Sequence, residues 1–211
     1  FIYCTHTLDY CYFLIYLINK EIFYGGVILS THHATTKDIT KIAIMSALVF
    51  IATYLIKIPS LNGYTHIGDS MIIISALILG KKKGALAAGL GASLCDLLSG
   101  YMQYIIATFF IKAIMVIIIC TIVEKLINKT KLAWIIGSIV GCTFQLLGYA
   151  LFESLLYGFA GAIASIPSNI IQSITGIVIA MVLANILEKS NVFEKLKKYC
   201  VDDSICPSVI I

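Results

Sequence analysis

Six apolar runs, at 42–58, 70–79, 84–99, 104–123, 132–157 and 163–187, alternate with short connections, and lysines fall only in every second connection. Lys37 and Lys41 precede the first run, Lys81, Lys82 and Lys83 join the second to the third, and Lys125, Lys129 and Lys131 join the fourth to the fifth. Lys189, Lys195, Lys197 and Lys198 follow the sixth, whereas the connections 60–69, 100–103 and 158–162 hold no lysine. Short loops rich in basic residues stay on the cytoplasmic side of a membrane. The pattern therefore predicts an all-α integral membrane protein with six transmembrane helices and both termini in the cytoplasm. Composition agrees: 60% of residues are hydrophobic and 12% charged, against about 45–50% and 25% in soluble domains. The net charge of +4 comes from lysine alone, scattered over short connections rather than gathered in a patch. Nucleic-acid binding is not indicated.

The domain plan follows from the same pattern. Residues 37–198 form the membrane domain and 199–211 a cytoplasmic tail. Residues 1–36 are expected to stand apart, because the apolar stretch 10–18 is too short for a span of about 20 residues. They read either as translated upstream sequence, with the start near Val27 or Leu29, or as an interfacial anchor helix. The runs 70–79 and 84–99 are also short for a hydrocarbon core of about 30 Å. Their outer connections, 59–69 and 100–105, should then dip into the membrane. Irregular backbone at that depth is tolerated only where protein or a cavity surrounds it, so these connections are expected to cover or line a pocket.

Ionisable and amide side chains inside the runs converge on the end opposite the lysines. Asp69 opens the second run, Asp96, Lys112 and Glu153 lie one or two turns inside the third, fourth and fifth, and Asn169 and Gln172 begin the sixth. Exposing one such charge to lipid near mid-membrane costs about 2.5–3.5 kcal/mol, so these residues should face one another. Helical spacing places Gly89–Ser93–Asp96–Gly100, Tyr104–Thr108–Lys112, Gln145–Tyr149–Glu153–Tyr157 and Asn169–Gln172–Gly176 each on one face. Two roles fit: structural hydrogen bonds, with Asp96 paired to Lys112, or a pocket. The shared depth, and the nearby Tyr64, Tyr101, Tyr104, Tyr149 and Tyr157, favour a pocket for a small polar heterocycle.

At the lysine-rich end, Ala43 and Ala47 form one small-xxx-small pair, and Gly80, Gly84, Ala88 and Ala92 repeat the spacing. Internal helix packing is the ordinary role of such stripes, and a partner surface is the alternative. Cys95, Cys120 and Cys142 fall within apolar runs and read as packing residues with reduced thiols. No phosphate-binding loop, HExxH or GxSxG stretch occurs, and His66 stands alone in a connection, so neither ATP hydrolysis, intramembrane hydrolysis nor a metal site is indicated.

The stretch GYTHIGD at 63–69, the long segment LILGKKKGALAAGLGASLCDLLSGYMQYIIATFFIK and PSNIIQSITG at 167–176 together resemble the substrate-binding S components of energy-coupling factor (ECF) vitamin transporters, in the riboflavin-type and hydroxymethylpyrimidine-type branch. The likeness covers about residues 38–188. It implies a six-helix, non-enzymatic, cofactor-free subunit that captures a vitamin from outside and associates with a transmembrane coupling subunit and, through it, two cytoplasmic ATPases. It also implies that Ala43 and Ala47 contact the coupling subunit. The substrate would be enclosed by Asn62, Tyr64, His66 and Asp69, by Asp96, Tyr101, Tyr104, Thr108 and Lys112, and by Tyr149, Glu153, Asn169 and Gln172. Riboflavin, a B6 vitamer and the thiamin pyrimidine all suit such a pocket. Two rivals remain open on the residues alone: a proton-coupled secondary transporter relaying through Asp96, Lys112 and Glu153, and an intramembrane enzyme with Asp69 and Asp96 as paired carboxylates.

Overall fold

The computed structural model describes residues 36–60, 64–126 and 132–189. The N-terminal segment and the tail of the domain plan lie outside the described residues, as does Asn62. In chain order the elements are α1 (Thr36–Leu55), β1 (Lys57–Pro59), β2 (Tyr64–His66), α2 (Gly68–Leu98), a 3-10 turn (Met102–Tyr104), α3 (Ile105–Leu126) and α4 (Ala133–Lys189). Among them three stretches are long and apolar enough to cross a membrane: Asp38–Leu55, Met102–Leu126 and Ala133–Leu187.

Two of the helices are not straight rods. Helix α4 has 57 residues, about 85 Å if unbroken at 1.5 Å per residue, far more than a hydrocarbon core of about 30 Å. It is broken at Gly158, where φ is 78° and ψ 172°. Helix α2 is broken likewise at Gly80, with φ 72° and ψ −167°. A positive φ with extended ψ is open to glycine and strained for any residue with a Cβ, so one residue reverses the chain at each point. The sequence suggests a GKKKG turn and a 158–162 connection. Instead, Lys81, Lys82 and Lys83 are already helical, and so is the chain from Phe159 onward.

The connection expected at 59–69 is also more ordered than anticipated. β1 and β2 pair antiparallel, with Lys57 opposite His66, Ile58 opposite Thr65 and Pro59 opposite Tyr64. Helix α1 accordingly ends at Leu55, earlier than the apolar run suggests. Strand pairing gives this segment's backbone groups partners where water is scarce.

Ion pairs define one end of the helix cluster. Lys83 meets Asp38 at 3.0 Å and Lys81 meets Glu124 at 3.1 Å, which brings together the start of α1, the break in α2 and the end of α3. At the other end the hairpin, the 3-10 turn and Gly158 gather: the Lys57 ammonium donates to Ser99 Oγ, and Gln103 donates to the Tyr157 hydroxyl at 3.4 Å. Between the ends, Ile72, Ile73, Val49, Met115, Val116, Ile119 and Val123 form a fully buried apolar core. Large apolar side chains such as Ile106, Phe110, Leu147, Leu151, Leu155 and Val178 point outward, as a lipid-facing surface requires.

The small-residue stripes separate into two kinds. Gly80, Gly84, Ala88 and Ala92 are buried, and a Cβ on Gly84 would lie 2.8 Å from the Ser75 carbonyl oxygen, so this stripe packs internally. On α1 the residues that pack inward are Met45, Ser46, Val49 and Thr53, with Ser46 Oγ donating to the Ala87 carbonyl at 3.1 Å. Ala43 is half-buried and Ala47 exposed, beside the outward Ile44, Leu48 and Ile51.

Candidate functional site

Asp69, in the first turn of α2, is fully buried and occupies both carboxylate oxygens. Lys112 of α3 donates to Oδ1 at 2.5 Å. Gln145, on the first arm of α4, donates to Oδ2 at 2.8 Å and accepts from Lys112 at 2.8 Å. Gln172, on the second arm, donates to Oδ2 at 3.0 Å. The α4 backbone comes this close because position 176 is glycine: a Cβ there would lie 2.7 Å from Asp69 Cβ. A buried charge is tolerable when paired and hydrogen-bonded, and this network meets both conditions.

Lys112 therefore pairs with Asp69, not with Asp96 as the sequence suggests. Helical spacing identifies which residues face inward but not which acid lies level with the ammonium. Asp96 instead accepts from the Tyr64 hydroxyl of the hairpin, at 2.6 Å to Oδ1. Its second oxygen, Oδ2, is buried and has no hydrogen-bond partner among the described residues.

Asp96 lines a cavity at the hairpin end, whose empty space, mouth included, is about 470 Å³. Tyr64, His66, Asp96, Tyr101, Tyr104, Thr108, Tyr149, Glu153, Asn169 and Gln172 all line it. Asp69 and Lys112 do not; they lie behind the wall and meet it at Gln172, which donates to Asp69, and at Tyr149, whose ring centroid is 5.6 Å from the Lys112 ammonium. Within the wall the Tyr104 hydroxyl reaches Glu153 Oε1 at 3.4 Å, Ser165 Oγ donates to Glu153 Oε2, and the Tyr149 hydroxyl donates to Thr108 Oγ1 at 3.2 Å. Tyr64 and Tyr101 have ring centroids 5.2 Å apart, Tyr101 and Tyr104 6.3 Å, and Tyr104 and Phe152 5.4 Å, an aromatic strip along one side.

The hairpin contributes two ionisable groups to the wall, Tyr64 and His66. Burial pushes the His66 imidazole down to about 4, with Asp69 opposing and Lys112 and Lys57 assisting. The ring is thus neutral at pH 7, and because its Nδ1 accepts from the Gly68 N–H at 3.1 Å, the proton resides on Nε2. Burial, followed by the Asp96 carboxylate, raises the Tyr64 phenol, so Tyr64 remains a donor.

Several residues escape the sequence reading. Ser60 and Ser165 also line the cavity; single serines carry no periodic signal. Gln145 belongs to the Tyr149–Glu153 stripe, and that spacing could have flagged it as a partner for Asp69. Lys57 is a lysine at the otherwise lysine-free end, hidden by its place at the tail of an apolar run. Its ammonium lies 4.0 Å from the Tyr54 ring centroid and 4.8 Å from that of Tyr64, and it anchors the hairpin against both rings.

Apolar helices that expose their greasy side chains outward and hold a polar, aromatic cavity at one end define an integral membrane protein built around a small-molecule site. The comparison with known families agrees: the model of the ECF-type riboflavin transporter S component family matches residues 33–189, and the chain belongs to that family. It is thus a membrane protein of vitamin uptake. An uncharacterized protein in the gap 3' region of Pyrococcus woesei is 32% identical over 143 residues, 67% of this chain and 95% of its own length. The thiamine precursor transporter HmpT of Lactococcus lactis subsp. cremoris is 27% identical over 165 residues, 77% of this chain and 94% of its own length.

Proposed function

We propose that this chain is the substrate-binding subunit of an ECF-type importer. It would take a water-soluble vitamin or precursor from outside and deliver it through a transmembrane coupling subunit driven by two cytoplasmic ATPases. In this reading six helical segments span the membrane, both termini are cytoplasmic, the hairpin end faces out, and the exposed Ala47 with Ala43 meets the coupling subunit. The observation that carries it is the cavity, with Asp96 in its wall. Among the candidate substrates, the printed name of HmpT supports the thiamin precursor.

The rivals fare less well on the same geometry. A relay through Lys112 would have to break its two hydrogen bonds, to Asp69 and to Gln145. A carboxylate pair of Asp69 and Asp96 would need Asp69 in the cavity wall, from which it is absent. Mass spectrometry of the small molecule that co-purifies with the protein, followed by titration of the emptied protein with it, tests the proposal. Uptake that persists after the ATPase partners are deleted would refute it.

A further inference from the structure

Asp69 and Lys112 form an ion pair where stability alone gives little reason for one. Neither side chain has any exposure, and two charges taken out of water gain little over a well-packed apolar pair of similar volume. What a carboxylate supplies that an apolar group cannot is a hydrogen-bonding direction. When ionised it accepts and never donates, and the Lys112 ammonium 2.5 Å away is its countercharge.

That direction reaches the cavity through Gln172. The Gln172 amide has two ends, NH₂ and Oε1, and half a turn about the last side-chain bond exchanges them. Against Asp69 Oδ2 only the NH₂ is tolerated, and Nε2 donates there at 3.0 Å. Gln145 is tied at both ends, its NH₂ to Asp69 and its Oε1 to Lys112. Gln172 is tied at one. Its Oε1 makes no hydrogen bond among the described residues, yet the sealed side-chain atoms left without a partner there are Asp96 Oδ2 and Ser173 Oγ. Gln172 Oε1 is neither of these, so it touches open space, and the open space that Gln172 lines is the cavity. One turn further along α4, Gly176 permits the close approach, since a Cβ there would lie 2.7 Å from Asp69 Cβ.

We propose that Asp69 is a positioning residue of the binding site: from behind the wall it locks the Gln172 amide so that Oε1, and not the NH₂, is presented to whatever occupies the cavity. Lys112 holds the carboxylate in place for that task. Asp69 itself is absent from the wall and acts through Gln172 alone. The inference rests on the binding role proposed above and concerns how its site is set up, not which molecule fills it.

The test is a mutant cycle on the detergent-purified full chain, titrated with riboflavin, pyridoxine and 4-amino-5-hydroxymethyl-2-methylpyrimidine. Asp69→Asn is the first variant, because it leaves Lys112 beside the Tyr149 ring, 5.6 Å from its centroid. The ammonium keeps the oxygen of the new amide on its side, which sets an NH₂ against the Gln172 NH₂ and turns the glutamine over. Asp69→Asn and Gln172→Met should each weaken the probe that wild type binds by about ten-fold. The two together should weaken it no more than either alone, because residue 69 acts through residue 172. A structural role would give additive losses; additivity, or unchanged affinity in folded Asp69→Asn, overturns the inference. If Asp69→Asn does not fold, the double change Asp69→Asn with Lys112→Met takes its place in the cycle. The wild-type protein gives a separate answer when its glutamines, Gln103, Gln145 and Gln172, carry ¹⁵N in the side-chain amide. The Gln172 NH₂ should show one proton shifted downfield by the carboxylate and slow to exchange with D₂O, before and after the probe is added, and exchange at the solvent rate overturns the inference. Failure of wild type to bind any of the three probes removes the binding role and this inference with it, whereas additive losses remove this inference alone.

Discussion

The Lys112 ammonium lies 2.5 Å from Asp69 Oδ1, and neither side chain has any exposure. Removing one partner of such a pair strands the other. Lys112→Met and Asp69→Asn are each expected to destabilise the protein by about 3–5 kcal/mol. The double variant should cost clearly less than the sum, because the stranded charge is gone. Thermal unfolding of the four proteins in detergent measures this coupling, and strict additivity would contradict the contact.

Gln145 and Asn169 separate support from binding. Gln145 donates to Asp69 but does not line the cavity, whereas Asn169 lines it and is half-buried. Gln145→Leu should lower stability by about 1–3 kcal/mol through the lost donor and leave the affinity of the surviving folded protein near that of wild type. Asn169→Ala should do the reverse. Unfolding curves and calorimetric titration with the co-purified ligand, run on both variants, distinguish the two patterns.

His66 adds a pH dependence. Its pKa is 6.5 in the unfolded chain and about 4 when folded. Between those values the unfolded state binds more protons, so stability falls as pH drops from about 6.5 towards 4, by up to about 3 kcal/mol. Above 6.5 the residue contributes no slope. Asp69, which favours the charged ring, and Lys112 and Lys57, which oppose it, are the neighbouring charges. Unfolding temperatures at pH 7 and pH 5 should differ for wild type and differ less for His66→Gln.

The exposed Ala47 gives a test of coupling. Ala47 is exposed among the described residues, so Ala47→Trp should fold and bind substrate as wild type does. Vitamin uptake in cells supplying the coupling subunit and ATPases should fall to background. Normal uptake would remove the inferred contact.

Orientation is open to direct labelling. In a cysteine-depleted background, necessary because the chain holds seven cysteines, Ser60→Cys should react with an impermeant thiol reagent on intact cells and Lys82→Cys should not. Reaction at position 82 would invert the proposed topology.

What could be read from residues alone was set by the physics of lipid. Burying Asp96, Lys112 and Glu153 is so strongly favoured there that their inward faces follow from spacing, and Tyr104, Thr108, Tyr149 and Gln172, each on one of the stripes, line the cavity. Pairing is another matter. Whether Lys112 meets Asp69 or Asp96 depends on how far one helix slides along another, and that is set by contacts such as Gly176 against Asp69, invisible in one chain's periodicity. The hairpin was equally hidden, because three-residue strands leave almost no alternating pattern. Lys57 escaped for a simpler reason: at the end of an apolar run it carries no periodic signal, while its ammonium lies 4.0 Å and 4.8 Å from two tyrosine ring centroids.

The hydrogen bonds to Asp69 also impose an order on biogenesis. Lys112 is synthesised 43 residues after Asp69, Gln145 76 residues after it and Gln172 103 residues after it. A nascent chain entering the bilayer from its N-terminal side thus carries an acid in search of a base until α3 arrives, and lacks the last amide until the second arm of α4 is made. Ribosomal arrest or truncation ahead of Gln172 leaves a carboxylate short of one donor inside the membrane, a defect that quality-control proteases are suited to recognise.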